Sequence, residues 1–178
     1  MNKNIFLSYC WKDEEVVNEI DNYFKSRQVI FQRDKRDIES WESIKVFMKR
    51  IRKSSYAILV ISDNYLKSVN CMYEVLEVMK DENYRERILT VVLNDALIYD
   101  ALSKAKYIKY WKEKYSELYD TIKEIDDNQS TIKLLEELKK TKEIMNNIGE
   151  FMAIVSDMNN PSINNVCEEI GIKLKNNS

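Results

Sequence analysis

Histidine is absent from this 178-residue chain. That absence removes the Ser-His-Asp triad, the Cys-His nucleophile pair and the common histidine-containing metal centres. Glycine occurs only twice, at Gly149 and Gly171. Glycine-rich phosphate loops, which need backbone without side chains against the phosphates, are therefore excluded. The cysteines Cys10, Cys71 and Cys167 are an odd set without metal-ligand spacing, so they read as free thiols in a reducing compartment. No metal site is expected. The N-terminal MNKNIFLSYCW has too short an apolar run for a signal peptide, and no stretch approaches the ~20 apolar residues of a membrane span. A cytoplasmic protein with no membrane partner is the expectation.

What remains is ordinary globular material. Apolar residues make up 44% and charged residues 33%, enough for one domain with a substantial core. A net charge of −2 gives no sign of a general polyanion binder. The basic residues Lys45, Lys49, Arg50, Arg52 and Lys53 alternate with Ile44, Phe47, Met48 and Ile51 at helical spacing. They read as a solvated helix face, and no nucleic-acid partner is expected.

Apolar runs at Ile5 to Tyr9, Val29 to Gln32, Tyr56 to Ile61 and Arg87 to Leu93 predict strands, with a short edge strand at Lys106 to Lys109. Helical patterns fall over Glu14 to Ser26 with Asp13 as its cap, from Ser43 or Glu42 to about Lys53, and over Asn70 to Lys80. The alternation predicts an α/β fold, a flavodoxin-like open parallel sheet of about five strands with helices on both faces. Residues 1–178 read as a single domain, with a core over 4–110 and a helical C-terminal portion over 110–175. That portion contains long helices at Tyr110 to Ile125 and Ile132 to Met158. Asn159-Asn160-Pro161 stops the second, and a last short helix ends before Gly171.

The segment Tyr56 to Glu77 holds the main chemical candidate. A strand that reads as buried ends in a Ser-Asp-Asn loop, and the following helix carries Glu74 in its first turns. Ligands of open α/β sheets lie beyond the carboxyl ends of the strands, where Glu74 would fall. Periodicity places Glu74 off the centre of the stripe Met72, Val75, Leu76 and Met79, so spacing alone describes a solvated helix acid, and Glu77 a surface charge. Tyr9, Cys10 and Trp11 follow the first strand and should line the same end of the sheet. No base is apparent for Cys10, which reads as a wall residue rather than a nucleophile. Asn70 suits a helix cap, and Cys71 a buried wall. Arg33 sits in a mixed-charge loop, suited either to a pyrophosphate or to internal ion pairs. Trp41 suits either stacking on a base or anchoring that loop.

FLSYCWKDEE at Phe6 to Glu15, RDKRDIESWESI at Arg33 to Ile44 and SDNYLKSVNCMYEVLE at Ser62 to Glu77 together resemble a Toll/interleukin-1 receptor (TIR) domain, closest in character to bacterial TIR proteins. The Ser-x-x-Tyr and Cys-x-x-Glu positions of that pattern are Ser62, Tyr65, Cys71 and Glu74. The loop after the second strand has Trp41-Glu42-Ser43 where the family commonly has a glycine.

The resemblance implies an enzyme that cleaves NAD+ at the nicotinamide–ribose bond, with Glu74 catalytic and Ser8 and Tyr9 bordering the nucleotide pocket. Cys10, Trp11, Arg33, Trp41, Asn70 and Cys71 complete the candidate substrate-binding set. NAD+ would be the substrate, with no cofactor required. The implied setting is anti-phage defence, in which hydrolysis or cyclisation yields an ADP-ribose-derived signal for a separate effector. Self-association is implied as well. The alternative is a non-catalytic TIR adaptor that docks through the charged loop and the C-terminal helices.

Overall fold

Ile-Phe-Leu-Ser-Tyr and Tyr-Ala-Ile-Leu-Val-Ile offer no polar face to water, so each strand they form must be covered on both sides. In the computed structural model, which describes residues 4–33, 54–125, 131–162 and 165–176, strands β1 (Ile5–Tyr9) and β3 (Tyr56–Ile61) are buried throughout. They pair in parallel at the centre of a sheet, flanked by β2 (Phe31–Arg33) and β4 (Ile88–Val92) in the order β2-β1-β3-β4. The chain leaves β1 toward one edge to form β2, then returns past β1 to form β3. The order therefore reverses between β1 and β3, which opens a crevice beyond their carboxyl ends.

Alternation along the strands divides the core. Ile5, Leu7 and Tyr9 share one face with Tyr56, Ile58 and Val60, covered by helices α1 (Glu14–Lys25) and α7 (Val166–Asn176). Helix α1 supplies Val17, Ile20 and Phe24 at positions i, i+3 and i+7. Helix α7 supplies Val166, Ile170 and Leu174 at i, i+4 and i+8. Each such side chain contributes roughly 1.5–3 kcal/mol on burial. Phe6 and Ser8 point to the opposite face. On the α1 side, Gln28 adopts φ 62°, which lets the Val29 amide reach back to the Phe24 carbonyl and end the helix.

Between β3 and β4 come α2 (Asp63–Lys67), α3 (Val69–Met79) and α4 (Tyr84–Arg87). The Ser62 hydroxyl caps α2 through the Tyr65 amide at 2.9 Å, so the expected loop is in part a helix. Arg87 bonds the Ser54 carbonyl at 2.7 Å and Asp81 at 2.5 Å, joining the approach to β3 to the turn after α3.

The described chain divides into two compact units, Met1–Ala96 with Asn159–Ser178, and Leu97–Met158. The second is a helical hairpin of α5 (Ala101–Glu124) and α6 (Ile132–Asp157). Lys104 bonds Ser156, and Ile108 lies beside Gly149, so the helices run antiparallel. Asp100 caps α5 by accepting from the Ser103 amide at 2.9 Å, and the Ser103 hydroxyl and amide together hold its carboxyl below the usual range. The expected strand at Lys106 to Lys109 lies inside α5. Likewise α7 runs through Gly171 instead of stopping before it. Arg33, expected in the charged loop, is instead the last residue of β2, while the rest of that loop and the second expected helix lie outside the described residues. No helix among the described residues is long and apolar enough to cross a membrane.

Candidate active site

The crevice between the ends of β1 and β3 is built by three short segments. The first is Cys10 with the 3-10 turn Trp11–Asp13 that follows β1. The second is Ser62 to Tyr65 after β3, and the third is the opening of α3. Asp13 couples the first two. Ser62 donates to its Oδ2 at 2.5 Å and Asn64 to its Oδ1 at 3.3 Å. Asp13 does occupy the N-cap position of α1, but its side chain makes no cap hydrogen bond there. Its acceptors serve the crevice rim instead.

Helix α3 begins one residue earlier than its apolar pattern indicates, because Ser68 caps it through the Cys71 amide at 3.4 Å. Asn70, the expected cap, is an exposed first-turn residue. Starting the helix there turns Cys71 and Glu74 toward β1. Glu74 is only 4% exposed, and Glu77 only 3%. Both readings as solvated acids are thus corrected. Covered by the sheet and by its neighbours in the chain, α3 is buried well beyond a single stripe.

The two acids are held differently. Glu77 pairs with the Lys80 ammonium at 2.6 Å. Glu74 accepts from the Ser8 hydroxyl, Oγ to Oε2, at 2.5 Å, and Ser8 Oγ lies 2.7 Å from the fully buried Tyr65 hydroxyl. An ionised carboxylate only accepts, so the single Ser8 proton goes to Glu74, and Tyr65 donates to Ser8. The result is a directed chain, Tyr65 to Ser8 to Glu74, within the length range of charge-assisted O–H···O bonds. It fixes one carboxylate oxygen in a desolvated position.

Cys10 and Cys71 form a second pair at the same edge. The Cys71 thiol donates to the Tyr9 carbonyl at 3.5 Å, at the peptide group that leads into Cys10. Interaction with the Cys71 side chain lowers Cys10 to about pKa 6 against the opposing effect of burial. Cys71 moves well above its ordinary value through its interaction with Cys10, through burial, and through the nearby Glu74.

Tyr9 and Arg33 lie on the other face of the sheet. Arg33, 5% exposed, donates to the Tyr9 hydroxyl at 2.8 Å, to Asn18 at 2.8 Å and to Asp21 at 3.1 Å. Its guanidinium also sits over the Tyr9 ring, 4.7 Å from the centroid. The internal ion-pair reading of Arg33 describes these contacts. Of the expected site residues, Ser8, Cys10, Cys71 and Glu74 therefore come together. Trp11 stands exposed at the rim, 58% accessible, while Trp41 lies outside the described residues. Two positioning residues were absent from the candidate set, Tyr65 and Asp13. Tyr65 is visible as the end of Ser-x-x-Tyr, whereas Asp13 reads only as a helix cap, a bond its side chain does not make. Among the described residues, no cluster of side chains is suited to a metal ion.

The model of the TIR domain family matches residues 5–124, which span every segment of this crevice. The chain belongs to the TIR domain family. Among solved structures, this TIR protein is similar to the TIR domains of the activated Roq1 resistosome directly recognizing the pathogen effector XopQ, with 20% identity, 99% of each chain covered and a TM-score of 0.58. That likeness shows a shared fold. No curated protein matches the chain significantly.

Proposed function

We propose that this TIR protein cleaves NAD+ at the nicotinamide–ribose bond, with Glu74 as the catalytic carboxylate. The supporting observation is the Ser8-oriented, 4%-exposed carboxylate of Glu74 at the crevice where the strand order reverses. Nicotinamide departs as a neutral molecule from a cationic glycosidic centre, so its departure needs no general acid. The ribose becomes oxocarbenium-like, and a desolvated carboxylate beside it stabilises the growing positive charge. This chemistry is compatible with a chain that lacks histidine. Ser8 and Tyr65 act by holding Glu74, while Cys10, Cys71 and Trp11 border the ligand. Asn70, on the exposed side of the first α3 turn, suits contact with the nucleotide periphery. Trp41 completes the proposed set, while Arg33 stays with its ion pair to Asp21 on the opposite face. Water capture gives ADP-ribose, and internal capture by a second nucleophile of the same molecule gives a cyclic ADP-ribose.

We assign the product to a signalling role in anti-phage defence, read by a separate effector. The structural relative is a resistosome, and assembly there supports self-association of this chain as the condition for full activity. Incubation of the purified protein with NAD+, followed by mass spectrometry, tests the proposal. Release of nicotinamide with either ADP-ribose or a cyclic isomer is expected, and the Glu74→Gln variant should form neither. Absence of both NAD+ binding and turnover at high protein concentration would favour the adaptor reading.

A further inference from the structure

The strand end that carries Ser8 continues into Cys10, and the helix turn that precedes Glu74 carries Cys71. The Cys71 thiol donates at 3.5 Å to the Tyr9 carbonyl, the peptide group that leads directly into Cys10, and so lies next to that residue. The two thiols differ in access. Cys10 is half-buried and open at the rim, while Cys71 is 5% exposed beneath it. An accessible thiol above a buried thiol partner is the arrangement of an attacking and a resolving cysteine. Cys167, on α7 in the other core layer, has no part in the pair.

We propose that Cys10 and Cys71 are a dithiol modification site that a hydroperoxide converts into an intramolecular disulfide. The Cys10 thiolate attacks one peroxide oxygen and the O–O bond breaks. Cys10 becomes a sulfenic acid, and the departing hydroxide takes a solvent proton to become water. The Cys71 sulfur then attacks the Cys10 sulfur, the S–O bond breaks, and the hydroxyl leaves as a second water with the Cys71 proton. Two thiols lose two electrons, and the peroxide is reduced to water. Closure sets the S–S distance at about 2.05 Å. The new bond ties the end of β1 to α3, the same elements that the Ser8–Glu74 hydrogen bond joins. This site stands independently of the NAD+ reading.

The test uses the full chain carrying Cys167→Ser, so that only the paired thiols remain. Treatment with hydrogen peroxide at neutral pH, alkylation and peptide mapping should find a Cys10–Cys71 linked peptide, a mass lower by two hydrogens, and recovery of both thiols on reduction. Iodoacetamide labelling of Cys10 should be half-maximal near pH 6, the position to which Cys71 brings its thiol. In the Cys71→Ser variant that midpoint should rise, slowing labelling at neutral pH by roughly 10-fold. Peroxide that carries Cys10 to a sulfinic acid while Cys71 stays free would overturn the proposal. So would a Cys10 labelling profile typical of an ordinary thiol with Cys71 in place. Should Cys71→Ser fail to fold, the peptide map of the chain that retains Cys71 decides the matter alone.

Discussion

Glu74 and Glu77 occupy one helix, three residues apart, and both are buried, yet their partners give them different uses. An ammonium neutralises Glu77, whereas the Ser8 hydroxyl orients Glu74. Ser8→Ala removes that orientation, and kcat for nicotinamide release should fall by roughly 10-fold or more with a smaller change in KM. An unchanged kcat would show that Ser8 does not position the carboxylate. Arg33 lies in the opposite layer, where its guanidinium neutralises Asp21, itself 1% exposed. Arg33→Ala leaves that carboxylate with Lys25 alone of the two cations, and should lower unfolding stability by roughly 3 kcal/mol in urea titration. The sequence showed both arginine roles and could not choose between them, because the choice depends on which sheet face Tyr9 takes. For Glu74, spacing pointed outward, since a helical stripe does not reveal a helix covered on more than one side.

At the level of elements, the strands were legible because continuous apolar runs such as Tyr56 to Ile61 have few alternatives. Boundaries were less so. Lys106-Tyr107-Ile108-Lys109, an apolar pair between lysines, reads as a short edge strand. Ser103, Tyr107 and Trp111, however, are buried at four-residue spacing in a helix started by Asp100. Ser68 likewise outcompetes Asn70 because its hydroxyl meets the Cys71 amide. Ser68→Ala should cost about 1 kcal/mol, read as a lower midpoint in thermal unfolding, while Ser68→Asp retains most of the stability. Gly171 was read as a helix end, yet no atom lies within 4 Å of where its Cβ would sit, and its φ is not positive. Gly171→Ala should therefore raise stability by about 0.5–1 kcal/mol through helix propensity, with a higher thermal midpoint. A lower midpoint would mean that α7 does not continue through this residue.

For the whole molecule, strand order is what turns a list of residues into a site. Ser8 and Glu74 are 66 positions apart, and they meet because the chain reverses direction across the sheet between β1 and β3. The motifs FLSYCW and SDNYLKSVNCMYE marked those two places in advance. The hydrogen-bond chain through Tyr65 needed the third dimension. If self-association completes the site, specific activity should rise with protein concentration and track the oligomer fraction in light scattering. Full activity in a dilute monomer would remove that requirement. The central claim is that Glu74 is the catalytic carboxylate of an NAD+-cleaving enzyme. It is tested most directly by measuring nicotinamide release from NAD+ by wild type and by Glu74→Gln, each with a native circular dichroism spectrum. The expected result is turnover by wild type and a loss of at least about 100-fold in the variant. Equal rates in the two proteins would contradict it.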